Sequence, residues 1–142
     1  MGNVQTTKKV NYEDIQMIIK KSPPNILLIN TLGYHEQECI IPNTINVNME
    51  EKIINDNLKN PNINIILYGK NNTDGNVTKK YLKLQELGFT KIFIYPGGLF
   101  EWLCLQDIYG DSTFKTTKKE MDILKFKSES RFTGYNSING TD

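Results

Sequence analysis

The sequence predicts an α/β domain: a mostly parallel sheet of the five-stranded type, flanked by helices on both faces. Two observations carry this prediction. Short apolar runs of strand length, the clearest at residues 26–29 and 63–68, alternate with amphipathic stretches of helical length. Clusters of Gly, Asn and Pro separate these elements at intervals typical of βα units. The 142 residues, 38% of them hydrophobic, suffice for one such domain.

The first half of the domain is predicted to contain two helices and two strands. Residues 11–21 form an amphipathic helix, capped by Asn11 with Asp14 three residues on, and two prolines end it. The apolar run at residues 25–30 is the first strand. Residues 44–47 follow as a second, short strand and residues 49–58 as a helix. His35, the only histidine, is expected at the surface of the loop between the strands.

The second half repeats the alternation. Residues 63–68 are the third strand, and residues 77–87 a helix closed by Gly88. Residues 91–95 are the fourth strand, and residues 99–105 a very apolar helix. We expect its Trp102 and Cys104 in the core. A further short helix is predicted at residues 120–127, packing through Met121, Leu124 and Phe126.

This pattern divides the chain into three segments. Residues 1–10 are predicted to be a flexible N-terminal segment, and residues 11–110 the α/β domain. Residues 111–142 form a C-terminal extension. Its last part, after Ser128, is rich in Ser, Asn, Gly and Thr, which predicts partial disorder.

Composition narrows the classes of function. The formal net charge of +1, with Arg131 as the single arginine, gives no reason to expect nucleic acid as a partner. Cys39 and Cys104 are isolated thiols without ligand spacing, so we expect no metal, no cofactor and a reducing compartment. Since no apolar run reaches about 18 residues and no secretion signal follows Met1, the expected location is the cytoplasm.

The N-terminus carries a lipidation pattern. Met1 and Gly2 are followed by Thr6 at the hydroxyl position of the N-myristoylation motif, and two lysines come next. The pattern predicts Gly2 as the acylated residue in a eukaryotic source. One acyl chain gives only reversible membrane binding, with a basic patch as a weak second signal. The corresponding location is peripheral, on the cytoplasmic face of a membrane.

The candidate site is the junction between the third strand and the helix that follows. In parallel α/β sheets, ligands bind where such strands end, and the helix N-terminus favours anions. The loop here is polar and rich in Gly and Asn: Gly69, Lys70, Asn71, Asn72, Thr73, Asp74 and Gly75. Lys70, Thr73 and Gly75 are the candidate anion-binding residues. Asp74 argues against anion binding, because as an N-cap its carboxylate would itself accept the hydrogen bonds of the loop amides.

The order of motifs resembles that of the rhodanese-like domain family over about residues 12–106. Residues 26–30 stand where the family's first strand would be, and residues 41–47 (IPNTINV) are similar to its HIPGAINI segment. Residues 65–68 resemble the strand that delivers the catalytic cysteine. Leu87-Gly88-Phe89, Gly97-Gly98 and Trp102 are similar to the family's final motifs. The resemblance implies the fold of a sulfurtransferase-like domain.

The departures from the family pattern fall on the chemistry. The resemblance implies that an active member would carry a cysteine at the strand end and an arginine in the loop, where this chain has Gly69 and, as its only loop cation, Lys70. The family's first-strand Asp and Arg correspond to Asn30 and Leu32, and its His to Ile40. The resemblance therefore implies a catalytically inactive member, a pseudoenzyme with no catalytic residue, acting as a scaffold for an unknown protein partner.

Two alternatives remain open at the sequence level. The first is a sulfurtransferase or phosphatase-like enzyme with a displaced thiol, for which Cys39 is the candidate, although Glu36 and Glu38 would raise its pKa. The second is a module that binds an anion or a phosphorylated partner through the loop at residues 69–75 without chemistry.

Overall fold

Four short strands form one parallel sheet in the computed structural model, which describes residues 7–133. They are β1 (Lys8–Lys9), β2 (Ile26–Asn30), β3 (Asn64–Tyr68) and β4 (Ile92–Ile94). Their order across the sheet is β1-β4-β3-β2. The longest pairing joins β2 to β3, in a register that runs from Ile26 opposite Asn64 to Asn30 opposite Tyr68. The strand with the candidate site at its end, β3, is therefore central.

The predicted five-stranded sheet is wrong, since residues 7–133 form a sheet of four strands, and residues 44–47, predicted as the second strand, do not form one. Only Thr44 bridges to Leu28 of β2. Pro42 has no N–H to donate to a ladder, and Asn43 adopts a left-handed conformation with φ of 73°. The segment is held instead by the Tyr68 hydroxyl, which accepts the Ile41 N–H at 3.2 Å and lies 2.7 Å from Thr44 Oγ1.

A strand lies where the sequence predicted a flexible segment. Lys8 and Lys9 of β1 pair with Phe93 and Ile94 of β4. Both lysine side chains are exposed, so residues 8–9 lack the apolar pattern that would predict a strand. The end of the predicted flexible segment thus belongs to the sheet, while residues 1–6 lie outside the described residues.

Three helices connect the strands, α1 (Tyr12–Lys21), α2 (Glu50–Asp56) and α3 (Gly75–Glu86), and a fourth, α4 (Gly98–Tyr109), follows β4. The predicted cap of α1 is confirmed. Asn11 Oδ1 accepts the Glu13 and Asp14 N–H groups at 2.9 and 3.3 Å, and Asp14 returns the bond to the Asn11 N–H. Two short 3₁₀ helices lie at Tyr34–Glu36 and Ile123–Phe126.

The helices cover both faces of the sheet, as predicted. On one face, α1 and α4 pack against Leu28 and Ile66. On the other face, α2 and α3 pack against Ile29, Ile65 and Leu67. This division follows from the strand geometry, because successive residues of β2 and β3 point to opposite faces. Trp102 of α4 is fully buried, as predicted, whereas Cys104 is only partly buried.

The described part of the C-terminal extension packs on α4 through Phe114 and Phe126. Phe114 and Phe126 are buried in the same core cluster as Trp102. The predicted helix at residues 120–127 is wrong: only the 3₁₀ turn at Ile123–Phe126 forms, and Met121 and Leu124 are 81% and 62% exposed. Of the three predicted packing residues, only Phe126 is buried, and it holds residues 120–127 against the domain. The disorder predicted near the chain end falls largely on residues 134–142, outside the described residues.

Candidate functional site

The junction between β3 and α3 lies in the middle of the carboxyl edge of the sheet. Backbone hydrogen bonds fix its start from both sides. The Thr31 N–H, just after β2, donates to the Tyr68 carbonyl at 2.9 Å, and the Leu99 and Phe100 N–H groups of α4 donate to the carbonyls of Gly69 and Lys70 at 2.9 and 2.8 Å. The start of the loop is thus held by the segment after β2 and by α4.

Gly69 stands directly after β3, and the space around it is filled. A Cβ atom at this position would lie 2.4 Å from Asp74 Oδ2, 2.7 Å from Val77 Cγ2 and 2.8 Å from Thr31 Oγ1. Gly98 approaches from α4 with φ of 64°, and a Cβ there would lie 2.7 Å from the Gly69 carbonyl oxygen. Because three different side chains crowd Gly69, a residue with any side chain needs them to move.

Asp74 places a carboxylate of the chain itself inside the loop. Its Oδ2 accepts the Lys70 N–H and its Oδ1 the Asn76 N–H, both at 3.0 Å. These are amides that an incoming anion would use. The role predicted for Asp74 as the N-cap of α3 is confirmed. The loop therefore supplies its own negative charge.

Lys70, the loop's only cation, is also partnered. Its Nζ lies 3.2 Å from Glu36 Oε2, and the Gly33 N–H donates to Glu36 Oε1 at 2.9 Å. Partial burial alone would raise the pKa of Glu36, but the Gly33 N–H and the Lys70 ammonium outweigh it and hold that pKa below its usual value. The Glu36 carboxylate therefore neutralises part of the positive potential with which Lys70 would attract an anion.

Asn71 and Thr73 join the loop to the C-terminal extension. Asn71 Oδ1 accepts the Thr73 N–H at 2.9 Å, while Asn71 Nδ2 donates to the Phe126 carbonyl at 2.9 Å. Thr73 Oγ1 lies 3.1 Å from Ser128 Oγ. The sequence does not predict that the extension borders the loop, because nothing local to residues 123–128 marks them as neighbours of the loop.

A cavity of about 810 Å³ lies between the loop and the extension. The three candidate anion-binding residues, Lys70, Thr73 and Gly75, all line this cavity. Lys125, Lys127 and Arg131 line it from the extension, and the remaining loop residues Asn71 and Asp74 also contribute to its wall. Asn72 is exposed beside it.

Cys39, the candidate displaced thiol, lines a different and smaller cavity of about 170 Å³. His35, Lys119 and Lys125 are among its neighbours there. Burial raises the pKa of the Cys39 thiol, and the Glu120 carboxylate adds to the effect against the nearby Thr116 hydroxyl and lysines. The carboxylate that raises the pKa of Cys39 is thus that of Glu120 in the extension, and not those of Glu36 and Glu38. Such a thiol is mostly protonated and weakly nucleophilic at neutral pH.

The second thiol gives no better nucleophile. Burial raises the pKa of Cys104 first, followed by the carboxylates of Asp107 and Glu101. Between residues 7 and 133, no group of three or more His, Cys, Asp and Glu side chains is placed to hold a metal ion.

The chain thus forms an α/β domain, with a parallel sheet covered by helices on both faces. A strand–loop–helix site lies at the carboxyl edge of this sheet. The family follows from direct comparison. The chain belongs to the rhodanese-like domain family, whose model matches residues 15–104. The match includes the candidate site and ends within α4.

Solved structures share this fold. The BH2092 protein from Bacillus halodurans is 18% identical, with a TM-score of 0.58 over 85% of this chain and 90% of that chain. Ygr203w, described as a yeast protein tyrosine phosphatase of the Rhodanese family, is 12% identical, with a TM-score of 0.57 over 85% and 99%. The Saccharomyces cerevisiae single-domain sulfurtransferase RDL2 is 18% identical, with a TM-score of 0.53 over 76% and 98%. No curated protein sequence matches the chain significantly.

Proposed function

We propose that this chain is a non-catalytic rhodanese-like module that binds a protein partner or acts as a scaffold. The observation that carries the proposal is the filled space at Gly69. The position at the end of β3 has no side chain, and Asp74, Val77 and Thr31 occupy the volume that a side chain would need. Without a nucleophile there, neither sulfur transfer nor phosphate transfer has a group on which to form its covalent intermediate.

The two alternatives draw less support from the site. A displaced nucleophile at Cys39 would need a lowered thiol pKa, and the pKa of this buried thiol is raised. An anion held by the loop would have to compete with the Asp74 carboxylate for the Lys70 N–H and with Glu36 for the Lys70 ammonium. The fold is shared with proteins described as a sulfurtransferase and a phosphatase, so both activities belong in the test.

The test is an activity assay on the purified full chain, with thiosulfate and cyanide as substrates in one arm and p-nitrophenyl phosphate in the other. We expect product formation at the rate of the buffer blank in both arms. Cys39→Ser and Cys104→Ser variants should give the same result as the unchanged protein, and mass spectrometry after incubation with thiosulfate should find no persulfide on either cysteine. Turnover that disappears in Cys39→Ser would replace this proposal by the displaced-thiol enzyme.

We further propose that acylation of Gly2 attaches the module reversibly to the cytoplasmic face of a membrane. Gly2 lies outside the described residues, so the sequence pattern alone supports this part. No helix within residues 7–133 is long and apolar enough to cross a membrane. We expect the N-terminal peptide isolated from source cells to carry a myristoyl group, and a Gly2→Ala variant to leave the membrane fraction. An unmodified Gly2 would remove the membrane from the proposal.

A further inference from the structure

A groove runs between α2 and α3, on the face of the sheet opposite α1 and α4. Its volume is about 600 Å³. Leu32, Ile54 and Leu84 form an apolar floor and are each at most 7% exposed, while Leu87 stands at one end, 45% exposed. Concave apolar surfaces bordered by a few polar groups are where ligands and partner segments bind.

The two walls of the groove differ in charge. Lys79 and Lys83 line the α3 wall one helical turn apart, both are exposed, and neither has an ion pair among the described residues. Lys80, between them, is already paired with the buried Glu50 of α2. The α2 wall carries the exposed Glu51. The unpaired positive charge therefore lies along α3 only.

This asymmetry specifies the chemistry of an occupant. Residues four apart on a helix lie about 6 Å apart along its axis, so Lys79 and Lys83 match two carboxylates at the same spacing on a facing helix. The groove is lined by α3 and its C-cap residue, from Asn76 to Leu87, a length of about 16 Å or three turns. The half-exposed Leu87, together with the buried apolar residues of the groove, offers a contact for one apolar side chain. Glu51 disfavours acidic residues on the opposite flank.

We infer that the α2–α3 groove binds an amphipathic helical segment of another protein, which presents two acidic residues one turn apart beside an apolar anchor. Charge complementarity with Lys79 and Lys83 sets the orientation of the segment, and the apolar floor holds the anchor. The inference rests on the proposed role of the chain as a binding module. It uses a surface separate from the loop, so the activity assays do not test it.

The experiment uses a fluorescent synthetic peptide of about 14 residues, enough for three helical turns and their ends. The peptide carries two glutamates at i and i+4 beside a leucine, and a second peptide has lysines in place of the glutamates. Fluorescence anisotropy with the full chain should show saturable binding of the acidic peptide only. The double variant Lys79→Glu, Lys83→Glu should weaken that binding at least tenfold. Amide shifts in NMR spectra should centre on Leu84 and Leu87.

A matched control separates the groove from general charge. Lys20→Glu, Lys21→Glu makes the same change of charge at the exposed end of α1, and it should leave binding of the acidic peptide within twofold of the unchanged protein. Circular dichroism of all variants excludes loss of folding. Equal binding of both peptides, equal weakening by both double variants, or shifts centred on residues 69–75 would each overturn the inference. So would self-association of the chain that Lys79→Glu, Lys83→Glu abolishes, because the occupant would then be a second copy.

Discussion

Replacing Trp102 with alanine should lower the free energy of unfolding by about 3–5 kcal/mol. The indole is fully buried between the sheet and the C-terminal extension. It stacks edge-on against Tyr95 and Phe114, with ring centroids 6.4 and 5.1 Å apart, and its Nε1–H donates to the Lys115 carbonyl at 2.8 Å. Its loss leaves a cavity and an unpaired carbonyl at the same place, and both add to the cost. Urea denaturation followed by far-UV circular dichroism measures the change.

Two controls sort these contributions. Trp102→Phe keeps most of the packing and removes the hydrogen bond, so we expect a smaller loss than for alanine. Ile108→Ala removes an apolar side chain from the same helix, but that side chain is 68% exposed, so it should cost little. Limited proteolysis should also cut residues 111–127 faster in Trp102→Ala, since the indole anchors them. A loss below about 1 kcal/mol, far under the usual cost of such a truncation, would mean that the extension is not held by this side chain.

Some parts of this fold depend on the local sequence alone, and others on contacts between distant segments. The apolar runs of β2 and β3, the capping box of Asn11 and the aromatic core position of Trp102 each depend on the residue types at those positions, and all were predictable. β1 was not, because its two lysines pair through the backbone and give no apolar signal. Residues 44–47 were wrongly predicted as a strand for the opposite reason: their composition suits a strand, but Pro42 and Asn43 turn the backbone away from a ladder.

The same distinction holds at the candidate site. The lack of a side chain at the end of β3 and the capping role of Asp74 were predictable. Both follow from residue type and from the position of the loop between strand and helix. The contacts that decide what the loop can do come from distant segments: Thr31 against Gly69, Glu36 on Lys70, and Phe126 on Asn71. Only the packing of the segment after β2 and of the extension around the loop reveals that the space at Gly69 is filled and that Lys70 is already paired.

Installing the missing thiol should therefore not install an activity. We expect Gly69→Cys to lower the free energy of unfolding by about 1–3 kcal/mol, the usual cost of overpacking, because its Cβ enters the contact shells of Asp74, Val77 and Thr31. We also expect no thiosulfate-dependent persulfide on the new cysteine. Asp74 has to move to admit the side chain, and it then releases the Lys70 and Asn76 amides that it now caps. Urea denaturation and mass spectrometry measure the two effects.

Gly75→Ala is the matched control, since a Cβ there meets nothing within 4 Å and alanine favours the first turn of α3, so stability should hold or rise by up to about 1 kcal/mol. The double variant Gly69→Cys, Asp74→Ala should cost less than the sum of its parts, because removing the carboxylate vacates the nearest clash. A Gly69→Cys protein of unchanged stability that accepts sulfur from thiosulfate would show that the loop kept its catalytic geometry and lost only the nucleophile. Destabilisation without persulfide would show that the loop has been remodelled around the glycine, and that its neighbours, more than the missing cysteine, exclude catalysis.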